Sequence, residues 1–157
     1  MDWLALLGEL PVARMLARSP TVYLFVNAAH ILSIGTLFGS ILVLDLRLIG
    51  FLTRLPLGPL ADTLWKVSAA GLACAVLTGL MLFSVRPAEY AANPAFLTKL
   101  ALVALGIANA AFVHATPQWR RLRISEETAP PLLRLTALLS LAIWVSAVIA
   151  GRWIGFL

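Results

Sequence analysis

Apolar side chains run along this chain in long blocks rather than alternating with polar ones. From Val22 to Leu44 there are twenty-three residues with no acidic or permanently basic group. At 1.5 Å per residue a helix of that length crosses a hydrocarbon core about 30 Å thick. Comparable blocks run from Val67 to Val85, from Leu100 to Trp119 and from Leu135 to Gly151. In lipid every backbone amide needs an internal partner, and for continuous apolar runs only helices supply one. Cap signals bound the blocks: Ser19-Pro20, Asn93-Pro94 and Pro130-Pro131 read as starts, whereas Gly50, Arg86-Pro87 and Arg152-Trp153 read as stops. The pattern predicts an all-α integral membrane protein, a bundle of four transmembrane helices over residues 20–49, 63–86, 95–119 and 132–153, forming a single domain over 1–157.

Residues 2–18 differ from the spans. Trp3, Leu4, Leu7 and Leu10 fall on one side and Asp2 and Glu9 on the other, and Pro11 divides the segment. Each piece is too short to cross a bilayer, so both are expected to lie in the interface.

Composition agrees with the pattern and narrows it. The 157 residues are 61% hydrophobic and 12% charged, about half the charge of an ordinary soluble domain, so four spans leave no room for a catalytic globular module. The net charge of +5 comes from basic residues flanking apolar runs, which marks headgroup anchors and disfavours nucleic acid as a partner. Cys74 is alone, so neither an intrachain disulfide nor a CxxC site is available. Asp2 and Glu9 precede the first arginine, which reads poorly as a cleavable signal, and the N-terminus is expected to be retained. Of the twelve Lys and Arg, seven (Arg47, Arg54, Lys66, Arg120, Arg121, Arg123, Arg134) fall on the face of the first and third loops. The positive-inside rule then puts both termini outside the cytoplasm.

Lipid offers helices no hydrophobic reason to associate, so small residues and interhelical hydrogen bonds must hold them together. Gly35 and Gly39 with Ala28, then Gly71, Ala75 and Gly79, Ala104 and Ala108, and Ala147 and Gly151 are the expected seams. Polar groups inside spans are costly and so are functional candidates by default. Asn27, His30 and Ser33 share one face of the first span, which is expected to point inward, and Asn109 and His114 lie on the third. For a buried histidine, haem ligation, metal binding or proton relay, and plain interhelix hydrogen bonding all stay open.

Depth separates the two histidines. His30 lies fifteen residues, about 22 Å, from Asp45, and His114 only about 7 Å from Trp119, taken as a marker of the same boundary. That is a difference of about 15 Å, too great for one bis-histidine haem. Met81, about 7 Å inside the opposite boundary, is at the depth of His30. Histidine with a thioether suits haem and also Cu(I).

The strings "AAHILSIGTLFGSILVLDLRLIG", "LTGLMLFS", "NPAFLTKLALVALGIANAAFVH" and "VIAGRWIGF" resemble an uncharacterised bacterial family of short four-span inner-membrane proteins, a domain of unknown function. More distantly, His30 with its small-residue helix, Thr78-Gly79, and Lys99 heading a span that reaches Asn109 are similar to the membrane domain of CopD-type copper-resistance proteins. His30 and Lys99 also match by position a first-span histidine and third-span lysine of HemJ-type proteins, which bind haem b. These resemblances imply the bacterial inner membrane and a redox or electron-transfer role. Haem b is then expected on His30 with Met81 as second ligand, and Arg86 and Arg152 facing the propionates. Copper on His30 and Met81 is the first alternative. A noncatalytic subunit that meets a membrane partner or a second copy through its small-residue faces is the second.

Overall fold

Proline and its cap residues punctuate the helices. The computed structural model describes residues 3–125 and 128–156, among which there is no β-strand. Two short helices, α1 (Trp3–Gly8) and α2 (Pro11–Arg18), precede α3 (Pro20–Ile49). The Ser19 hydroxyl accepts the Val22 amide at 3.4 Å to start α3. Gly50 ends it in the left-handed region at φ 113°, a conformation that suits a residue without Cβ. The second span is α4 (Leu57–Phe83), followed by the short α5 (Pro87–Ala92) and the third span, α6 (Pro94–Ala115). Asn93 caps α6 by accepting the Ala95 and Phe96 amides at 2.9 and 3.2 Å. Then come α7 (Pro117–Ser125), the fourth span α8 (Pro131–Trp153) and a final 3₁₀ turn, Ile154–Phe156.

Four helices, α3, α4, α6 and α8, are long and apolar enough to cross a membrane. Their outward faces carry large apolar side chains such as Phe25, Leu32, Leu77 and Leu135, each more than 60% exposed. A surface of that kind belongs in lipid.

Two spans differ from the hydropathy reading. α4 begins at Leu57, six residues before the expected start, because Asp62 and Lys66 sit on its first turns instead of preceding it. The third span ends at Ala115 and leaves Trp119 on a separate helix. Thr116 is extended before Pro117, as residues before proline prefer. Its hydroxyl donates to the Val113 carbonyl at 2.7 Å and accepts the Trp119 amide at 3.2 Å, so one residue closes α6 and caps α7. Trp119 is therefore 2% exposed inside the bundle end and is no lipid-interface marker.

Packing joins α3 to α4, α6 to α8 and α3 to α8, whereas α4 and α6 barely meet. At Gly71 a Cβ would stand 2.9 Å from the Leu37 amide nitrogen, so only glycine lets the α3 and α4 backbones come this close. Ala75 and Ala147 are buried as expected. The remaining expected seams do not form within the chain. A Cβ at Gly35 or Gly39 meets nothing within 4 Å, and Ala28, Ala104 and Ala108 are exposed. The reason is angular: Ser33 and Leu37 face α4, and Gly35, two positions from each, points about 200° away. On α6 the close-packing residue is Gly106, whose absent Cβ makes room for the Trp144 ring.

At one end α2 inserts Ala13 and Leu16 against the bundle while α1 rests on α5. The side chains of Asp2 and Trp3, part of the amphipathic pattern, lie outside the described residues. At the other end Trp119 and Leu122 of α7 complete a core with Leu48, Leu57, Ala61, Val113, Leu133 and Ala137.

Candidate functional site

Around His30, polar groups from several spans meet. His30 Nδ1 lies 2.9 Å from Thr78 Oγ1, and Thr78 donates its own proton to the Cys74 carbonyl at 2.6 Å. With that proton committed, Thr78 accepts and His30 Nδ1 donates. Nε2 is then the basic nitrogen of the ring, the form in which an imidazole ligates a metal. Gly79 gives the ring its place, because a Cβ there would stand 3.1 Å from His30 Cε1. Lys99 of α6 lies close enough for its charge to act on His30, and its aliphatic stem runs against Gly151 of α8.

The other expected residues divide. Met81 is half-buried and lies three residues past Thr78 and two past Gly79, the two α4 residues against His30. Arg86 is exposed and pairs with Glu89 at 3.3 Å. Arg152 is exposed and lies 4.8 Å over the Phe156 ring. Asn27, expected to point inward, is exposed. Ser33 turns back on its own helix to the Ala29 carbonyl at 2.7 Å.

Near the opposite end lies a cavity of about 770 Å³ in the wedge between α4 and α6, with α3 and α8 behind it and Trp119 of α7 at its end. His114 and Asn109 line it. His114 Nδ1 donates to the Ala110 carbonyl at 2.8 Å, so here too Nε2 is left basic. Its ring packs between Trp65 and Trp119, tilted by 46° and 56° to them, with centroids at 4.9 and 5.2 Å. Asn109 spends its amide on the Thr136 carbonyl at 3.1 Å, tying α6 to α8. Asp45 also lines the cavity and is 6% exposed. The Ser140 hydroxyl stands beside this carboxyl, yet among the described residues Asp45 Oδ2 has no partner, and neither has Trp119 Nε1. The two histidines touch α4 at Trp65 and at Thr78, thirteen residues or about 20 Å apart.

Sequence reading singled out Asn109 and His114 but not the cavity they share with Asp45. Trp119 reads in the sequence as a boundary marker, and nothing there singles out Trp65 or Trp144. The one available signal was an acidic residue, Asp45, inside a helix that continues past it.

Four lipid-facing spans around buried polar clusters define a multi-pass α-helical membrane protein. The chain belongs to the family described as "Family of unknown function (DUF6644)", whose model matches residues 18–157. No curated protein and no solved structure matches it.

Proposed function

We propose that this is a small redox or electron-transfer protein of the bacterial inner membrane that binds haem b through His30, with both termini periplasmic. The observation that carries the reading is the hydrogen-bonded sequence from His30 through Thr78 to the Cys74 carbonyl, which holds the imidazole with Nε2 free to ligate. Lys99, the cation that acts on His30, supplies positive charge for a propionate. Arg86 and Arg152 are partnered at the surface and are less suited to that task. The pairing of His30 with Lys99 accords with the positional resemblance to HemJ-type proteins. Haem would supply one-electron chemistry, while the chain orients the ligand and excludes water around it. Protein purified from haem-replete native membranes should show a Soret band that His30→Ala abolishes and His114→Ala largely retains. Wild-type protein without a Soret band would overturn the reading.

Copper has less support, because no cluster of three His, Cys, Asp or Glu occurs among the described residues. The subunit reading draws on the Gly35 and Gly39 face, which meets nothing in this chain. Crosslinking from a cysteine placed at Gly35 would capture a partner or second copy, and a purely monomeric product would count against it.

A further inference from the structure

We propose that the wedge between α4 and α6 binds a lipid-soluble molecule with a flat, hydroxyl-bearing ring and an apolar tail, the chemistry of a quinol, entering sideways from the membrane. The polar groups it uses, on Asp45, His114 and Trp119, lie at the end of the bundle opposite His30, and the inference stands apart from the haem reading.

Three observations converge on it. The first is hydrogen-bonding capacity. Asp45 Oδ2 and Trp119 Nε1 are buried without partners, on residues 6% and 2% exposed. Leaving such groups unpaired is costly, and in lipid no bulk water relieves them. One is an indole donor and the other a carboxyl oxygen. Ring hydroxyls supply both functions, an acceptor for the indole and a donor for the carboxyl, and His114 Nε2 gives a second acceptor. A simple ammonium ion has no acceptor for the indole, and an ester carbonyl has no donor to offer the imidazole.

The second is shape. Trp65, His114 and Trp119 bring three mutually packed aromatic rings to this end of the cavity, and Trp144 lines it as well. Aromatic faces favour a flat, stacked occupant over a branched one. The third is access. Because the α4 and α6 backbones stay apart between the Trp65–His114 and Phe83–Phe96 contacts, the mouth lies between them, and its residues Val76, Leu77 and Ile107 are apolar and exposed on the lipid side. A tail leaving through this mouth stays in hydrocarbon.

The test is titration of full-length protein in phosphatidylcholine nanodiscs with decylubiquinol, read by tryptophan quenching, beside dodecanol as a ring-free alcohol. Saturable quenching by the quinol and not by dodecanol is expected. Trp119→Phe and Asp45→Leu should each weaken it by about tenfold, the scale of one buried hydrogen bond to a polar partner, with Trp65 and Trp144 left as reporters. Since Asp45→Leu alters a buried site, Leu77→Trp provides a second variant. It crowds the mouth from the lipid side without removing a polar group and should weaken binding at least as much. Equal binding of dodecanol would overturn the ring requirement. Wild-type affinity in both Trp119→Phe and Leu77→Trp would overturn the site, as would tightly held phospholipid, found by mass analysis, that the quinol does not displace.

Discussion

Gly71 and Gly35 are both span glycines, and the structure gives them opposite roles. A methyl at position 71 would press on backbone, 2.9 Å from the Leu37 nitrogen, whereas at position 35 it meets open space. Backbone cannot yield as a flexible side chain does, so Gly71→Ala should destabilise the bundle by about 1–3 kcal/mol, the usual cost of overpacking. Gly35→Ala should leave the stability of the monomer unchanged. Unfolding of both variants in mixed micelles under rising denaturant, followed by helical circular dichroism, checks the contrast. Thr78→Val isolates chemistry from packing in the same way. It removes the acceptor that fixes the His30 tautomer at nearly constant volume, and interhelix hydrogen bonds in membranes average only about 0.6 kcal/mol. Stability should therefore change little, while any haem signal that depends on His30 Nε2 weakens or shifts.

The element that hydropathy could not reveal is α7. Its sequence, Pro117–Ser125, holds five polar or basic residues among four apolar ones, and the run through Trp119 read as the tail of a span. What separates it is a single Thr-Pro step, and what docks it is a contact between chain-distant residues: the Arg123 carbonyl would lie 2.9 Å from a Cβ on Gly58. Gly58→Val should therefore displace α7, expose Trp119 and raise its quenching by acrylamide. Asp62 also pairs with Arg123, but such exposed ion pairs are worth under about 1 kcal/mol, so Asp62→Asn should leave α7 docked. Four spans, their caps at Ser19 and Asn93 and the split at Pro11 were legible because each is a local pattern. The seams were only half legible, because glycine spacing says which face is smooth but not which helix lies against it. At the other end, α5 carries Tyr90, whose phenol is pushed above its ordinary 10.0 by burial and by the neighbouring Tyr23, against the opposing charge of Arg86. The folded state thus holds this proton more tightly than the unfolded chain. The linked stability is present below about pH 10 and is lost as pH rises through the higher folded value. A tyrosinate absorbance step displaced above the ordinary range, with α1 and α5 becoming protease-sensitive along with it, is the expected signature.

At the scale of the molecule, the four spans are joined as two hairpins, α3 with α4 and α6 with α8, that share one further seam between α3 and α8. The candidate residues follow this plan. His30 and Thr78 belong to the first hairpin and Lys99 to the second, and the cavity is bounded by α4 from one and α6 from the other. Nothing in the one-dimensional pattern marks where two helices fail to meet, which is why the cavity escaped sequence reading while its polar residues did not. Assembly of such a bundle follows the same joints. A span that already has its partner within its own hairpin is stable in lipid before the other half arrives. The connection through residues 84–93 then serves mainly to keep the halves together. Two separately translated chains, one ending and the other beginning in that connection, should find each other in the membrane and restore the α3 to α8 seam, recovered together on a tag carried by only one of them. The division of labour between hairpins would make this fold a natural product of two independent insertion events, with its binding chemistry created only at the moment they join.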